Sequence, residues 1–206
     1  MQFCWFIYQL ILKCFNITIL IILILFFSCT HSTEIFREKI NTLQSYIANL
    51  SKNENTEKIS QFENLSKIVE EVYDYKKMIK MIIGKSNWNN LEKQEKIELA
   101  MTFRDFIVYN YISRFGETDN ISFELVDTKK VGKSYQIVMT NILIKNEKVK
   151  INYLFHKVEN DWKVFDVLLD GAISEIATKK TEYNKLIKEN GANMLSKSLK
   201  EKMSTK

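Results

Sequence analysis

Asp166 is the one acid in an otherwise apolar stretch, Trp162-Lys163-Val164-Phe165-Asp166-Val167-Leu168-Leu169. Buried beside Tyr153, it could serve as a general base, because loss of water raises a carboxyl pKa toward neutrality. The plainer reading, that Asp166 bonds a backbone or tyrosine group, is preferred. His156, between Phe155 and Lys157, reads as a partly exposed residue near a strand end. The only other histidine is His31, so beyond residue 32 a His-pair metal site or a histidine relay has no material. All three cysteines, Cys4, Cys14 and Cys29, fall within the first 32 residues. The rest of the chain therefore holds no disulfide, thiol nucleophile or Cys-based zinc site. No P-loop, dinucleotide fingerprint, G-x-S-x-G elbow or HExxH occurs. The remaining carboxylates sit in Lys/Glu-mixed runs such as 92–98 and 182–189, the pattern of solvated helix faces.

Composition explains part of this poverty. Of 206 residues, 46% are apolar and 27% charged, an ordinary globular balance that argues against disorder and against a polytopic membrane protein. There is no proline, and only 5 glycines occur, which rules out collagen-like and glycine-loop designs. Against 3 Arg stand 27 Lys, 26 Ile and 18 Asn, the usage of an AT-rich genome, so the net charge of +5 carries little functional meaning. Lys197, Lys200, Lys202 and Lys206 give a basic tail. It lacks arginine and interleaved aromatics, so nucleic acid is not expected as a partner, and an exported protein would meet anionic headgroups first.

Export is suggested by residues 1–32. They carry one charged side chain, Lys13, and end in an apolar run, 17–27, followed by Ser28-Cys29-Thr30. A weakly basic start, an apolar core and small polar residues read as a signal peptide, with cleavage after Ser32. Two alternatives stay open: an uncleaved membrane anchor, and a lipoprotein lipidated at Cys29. Each leaves residues 33–206 as a single domain outside the cytoplasmic membrane.

The elements that must position any site follow from hydrophobic period. Ile35, Ile40, Leu43, Ile47 and Leu50 recur at helical spacing over 34–50, and one or two helices follow over 57–83, stopped by Gly84. Asn89 with Glu92 resembles a capping box opening a long helix, 91–115. The period then changes from about 3.6 to 2. Four strands joined by short turns, within 121–125, 135–144, 149–155 and 162–169, read as an antiparallel meander. Gly171 ends the last, and helices over 172–189 and 192–202 follow. The layout is α+β, one curled antiparallel sheet of about four strands packed with N- and C-terminal helices. Ile151, Tyr153 and Phe155 share one face, as do Phe165, Val167 and Leu169. The strands carry more apolar surface than one helical layer obviously needs, although an ordinary two-sided core would look the same.

Several segments also resemble a known family. Asp74-Tyr75-Lys76-Lys77-Met78 running to Ile83-Gly84 is similar to a D-F/Y-x-x-M…L-G helix. Gln94, Phe103, Phe106 and Tyr111 fit a Q…F…F…Y helix, and Trp162 to Val167 with Asp170-Gly171 fits a W-x-V-Y/F-D-V…E/D-G strand. Ser174, Thr178, Lys179, Glu182, Tyr183, Gly191 and Leu195 fit the ending. These motifs resemble MlaC, the periplasmic phospholipid-shuttle family also called toluene-tolerance auxiliary proteins, over about residues 60–200. Two departures are Trp88, one position late, and Gly171-Ala172-Ile173-Ser174, one residue longer than the commoner G-V-S.

The resemblance implies a carrier, not an enzyme, with phospholipid as cargo and no cofactor. It would hold the acyl chains in an apolar cavity between sheet and helices. Its partners would be an inner-membrane ABC transporter with an MCE-domain subunit and an outer-membrane lipoprotein complex. Two acyl chains expose about 30 methylenes at ~0.8 kcal/mol each, so water costs them on the order of 25 kcal/mol. On this reading the lining is expected to include Met78, Met81, Ile82, Phe103, Ile107, Tyr111, Val138, Tyr153, Phe155, Phe165, Val167 and Ile173. The headgroup would stay near solvent with little selectivity. The alternatives are a small α+β enzyme using Asp166 and a tyrosine, or a membrane-tethered interaction module with an ordinary packed core.

Overall fold

The structure, a computed structural model, describes residues 35–51, 58–145 and 147–204. The expected h-region and cleavage zone, the three cysteines and His31 lie outside them. The chain divides into two compact units, Met1–Glu38 and Lys39–Lys206. Residues 35–48 are helical and form α1. Everything below concerns the second unit. Among the described residues no helix is long and apolar enough to cross a membrane.

Asp74 decides where the apolar stretch 57–83 breaks. Its Oδ1 accepts from the Lys77 backbone N–H at 2.9 Å, satisfying one of the free donors of a new helix start. The stretch therefore forms α2 (Lys58–Val72) and α3 (Tyr75–Ile83). Between them Tyr73 makes a parallel bridge to Val164, and the Asp74 N–H donates to the Val164 carbonyl at 2.8 Å. Gly84 ends α3 at φ 83°, a backbone region that favours glycine.

A short helix not anticipated from the sequence, α4 (Lys85–Asn90), follows. Asn89 lies inside it, so it cannot cap the next helix. The capping box is instead Glu92 with Glu95, and it opens α5 (Lys93–Phe115). Arg104 of α5 pairs with Glu70 of α2 and, at 2.5 Å, with Asp105.

Five antiparallel strands follow in chain order: β1 (Ile121–Val131), β2 (Tyr135–Ile144), β3 (Glu147–Val158), β4 (Asp161–Leu169) and the two-residue β5 (Ile173–Ser174). Four of these are the expected meander. Bulges between Leu125 and Asp127 and between Leu154 and Phe155 break the register, the usual device for bending a sheet. Helices α6 (Glu175–Asn190) and α7 (Met194–Ser204) complete the described chain, with Ser174 capping α6 through the Ala177 N–H.

Register fixes which side chains share the helix-facing side of the sheet. Val138 lies opposite Tyr153, Thr140 opposite Ile151, Tyr153 opposite Val167 and Ile151 opposite Leu169. Helix α3 packs with both α5 and α6, and α6 also meets β4. Leu65, Val69, Ile79, Ile82, Leu99, Val138, Phe155 and Val164 are at most 1% exposed.

Candidate functional site

Where α3, α5 and α6 approach β2, β3 and β4, the side chains leave a cavity of about 160 Å³. Counting its open mouth, the atom-free space is about 910 Å³. Helix α3 contributes Met78 and Ile82, one turn apart. Phe103, Phe106, Ile107, Asn110, Tyr111, Arg114 and Phe115 come from one side of α5. The sheet supplies Ile142, Ile151, Tyr153, Val167 and Leu169, Tyr73 comes from the α2–α3 junction, and Glu175, Ile176 and Lys179 come from α6.

Three phenols cross this apolar wall. The Tyr73 and Tyr111 hydroxyls are 2.5 Å apart, and Tyr153 is hydrogen-bonded to Tyr111 and Gln44. Gln44 Nε2 donates to Thr140 Oγ1 at 3.1 Å, and Thr140 donates to the Ile151 carbonyl at 3.0 Å. The chain of bonds satisfies each buried hydroxyl, so the polar atoms do not break the apolar character of the wall. Burial raises all three phenol pKa values: Tyr73 and Tyr153 well above the ordinary range, Tyr111 to about 12. They are protonated hydrogen-bonding groups at neutral pH, unsuited to act as general bases.

Of the twelve expected lining residues, Met78, Ile82, Phe103, Ile107, Tyr111, Tyr153 and Val167 border the cavity. The other five do not. Met81 is 37% exposed, because it lies about 100° around α3 from Ile82. Ile173 is 56% exposed in the short edge strand β5. Val138 and Phe155 are fully buried, away from the hollow. Phe165 is displaced by the β3–β4 bulge: Phe155 pairs with Val164 and Leu154 with Asp166, leaving Phe165 without a partner in the register. Its ring packs edge-on against Tyr135 and His156.

Parity and helical spacing could have found more of the lining. Ile151 and Leu169 are two residues from Tyr153 and Val167 on the same faces, and Phe106 and Asn110 continue the Phe103–Ile107 side of α5. Nothing in the sequence marked Arg114, Glu175 or Lys179 as neighbours.

Asp166 is not beside Tyr153. It lies opposite Leu154, whereas Tyr153 lies opposite Val167, so alternation turns the two side chains to opposite faces. Its carboxylate accepts from the Val167 N–H at 2.8 Å, the Ile176 N–H at 3.2 Å and Ser174 Oγ at 2.6 Å. Asp166 thus ties β4 to the start of α6, as the plainer reading held.

His156 is more enclosed than a strand-end residue need be, its side chain 12% exposed. Nε2 lies 3.0 Å from Asp74 Oδ2 and Nδ1 lies 3.2 Å from Lys77 Nζ. Burial and the Lys77 ammonium lower its pKa against the opposing pull of Asp74, and Lys77 also lies 4.9 Å from the Phe165 ring centroid. This cluster ties α3 to β3 and β4, and none of its members lines the cavity.

The sequence pattern of the MlaC protein family matches residues 37–201. Among solved structures, the chain is similar to a phospholipid-binding protein from Ralstonia solanacearum, solved in complex with a phospholipid. The two share 16% identity at a TM-score of 0.66, over 82% of this chain and 96% of that one. No curated protein matches. The sequence match spans most of the chain and the solved structure repeats its α+β arrangement: the chain belongs to the MlaC family.

Proposed function

We propose that this protein binds phospholipid by its acyl chains in the cavity between α3, α5, α6 and the sheet, and carries it rather than transforming it. The observation that carries this reading is the hollow itself, walled by Met78, Ile82, Phe103, Ile107, Ile151 and Val167 beneath a mouth with charged groups. Membership of the MlaC family and the phospholipid bound to the Ralstonia protein support it. Within that reading residues 33–206 form the carrier, exported to the periplasm by the leader. There it exchanges lipid with an inner-membrane ABC transporter bearing an MCE-domain subunit and with an outer-membrane lipoprotein complex.

The physics of such a carrier is undemanding of chemistry. Apolar walls repay most of the ~25 kcal/mol that water charges two acyl chains, without forming a bond. Volume sets a further requirement. A cavity of about 160 Å³ is close to the ~150 Å³ that holds benzene. Two chains therefore need the walls to move apart, and Met78, with three rotatable bonds and a polarisable sulfur, suits a wall that yields.

The test is lipid extraction and mass spectrometry of the protein after incubation with phospholipid vesicles and separation from them. Phospholipid retained by the protein is expected. Protein that emerges lipid-free, with no depletion of the vesicles, would overturn the reading.

A further inference from the structure

Each phenol of the cavity wall has a partner, yet counting protons leaves one over. Thr140 gives its only proton to the Ile151 carbonyl, so toward Gln44 its oxygen can only accept, and Gln44 presents its amide nitrogen there. That nitrogen has a second N–H for Tyr153. Burial raises the Tyr153 pKa, and the Gln44 bond pulls it back, as a donor to the phenol oxygen does. Gln44 therefore takes no phenol proton. The two bonds among the phenols, Tyr73 with Tyr111 and Tyr111 with Tyr153, use two protons of three.

The third belongs to Tyr111. Burial raises all three phenols, and the bond to Tyr111 pushes Tyr73 and Tyr153 further up, as it does for donors. Both bonds pull Tyr111 down, as they do for an acceptor. Its own proton has no acceptor among the described residues, and its side chain borders the cavity. Tyr111 comes one turn after Ile107 and one turn before the exposed Arg114, where the apolar lining gives way to solvent.

We infer that the Tyr111 hydroxyl binds an ester carbonyl, the neutral acceptor that heads an acyl chain. This rests on the carrier reading and deepens it. The carbonyl brings lone pairs without charge, so the bond it gains offsets the water it loses. A phosphate would bring a charge that one neutral hydroxyl in an apolar wall does not offset. Two accepted bonds polarise the Tyr111 O–H and strengthen it as a donor. The site thus reads the linkage of the chain and is indifferent to the headgroup, since an ether-linked chain has no carbonyl to offer.

Vesicles of equal diester and diether phosphatidylcholine, with saturated chains of one length, are incubated with the protein, and the loaded lipids are quantified by mass spectrometry. The diester is expected in about fivefold excess, the size of one neutral hydrogen bond. Tyr111→Phe should bring the ratio near parity, whereas Tyr73→Phe, which keeps the Tyr111 hydroxyl, should hold the excess. Equal loading by the parent, an excess that survives Tyr111→Phe, or one lost alike in both variants overturns the ester site and leaves the carrier standing. No loading by any of the three proteins overturns both.

Discussion

Two stretches of one sheet face behave differently. Tyr153 and Val167 border a hollow, whereas Phe155 and Val164, on the same strands and equally apolar, are sealed at 0% exposure. What separates them is what faces them. At the Phe155 end the α2–α3 junction closes onto β4 through the Tyr73–Val164 bridge, and Asp74, Lys77 and His156 hold α3 to the sheet. At the Tyr153 end α5 faces the sheet behind large rings and satisfied phenols. An apolar strand face specifies burial, while the hollow comes from how the opposing helices are pinned.

The comparison breaks first on truncation. Phe155→Ala should cost about 3–5 kcal/mol in denaturant unfolding, the usual loss for a sealed aromatic. Ile107→Ala, at a half-buried wall with empty space on one side, should cost under about 2 kcal/mol, because its side chain already lacks part of its contacts. Equal costs at the two positions would mean that the hollow is packed like the rest of the core.

A smaller effect belongs to the phenols. Tyr111→Phe removes the hydroxyl between Tyr73 and Tyr153 and should cost about 1 kcal/mol in the same experiment. If the variant is instead more stable, those bonds do not hold the wall.

The least effect, and the one specific to the sealed end, is a pH dependence. The pKa of His156 is lowered from the ordinary 6.5. Between that value and its depressed native one the unfolded chain binds more protons, so stability rises with pH through the window. His156 contributes fully above about pH 6.5, and the contribution fades as pH falls. Asp74 and Lys77 face the ring, and Lys77 opposes its protonation. In His156→Gln the slope of melting temperature against pH across this window should be shallower than in the parent. An unchanged slope would exclude His156 as its source.

The same contrast explains what was legible in the sequence. The change of period from about 3.6 to 2 marked the meander, because alternation follows directly from strand geometry. Seven of the residues expected on the family resemblance border the hollow. Phe165 escaped, since a bulge re-aims one side chain without leaving any trace in hydrophobicity. One or two helices stayed open over 57–83 because apolar spacing runs across Asp74, and a cap is visible only once its acceptor finds the Lys77 N–H. Val138 and Phe155 do not border the hollow, since sealed and hollow stretches of one face have the same residue types. Arg114 and Glu175 join the lining from the last turn of α5 and the first turn of α6, a long-range arrangement with no local signature.

The central claim is that acyl chains enter the hollow at the Tyr153 end and not elsewhere. Photo-crosslinking with a phospholipid carrying a diazirine near the acyl terminus, followed by peptide mapping, tests it most directly. Labels should fall on Met78, Ile82, Phe103 and Ile107. Labels confined to exposed apolar positions such as Ile59, Val126 and Val131 would contradict the account.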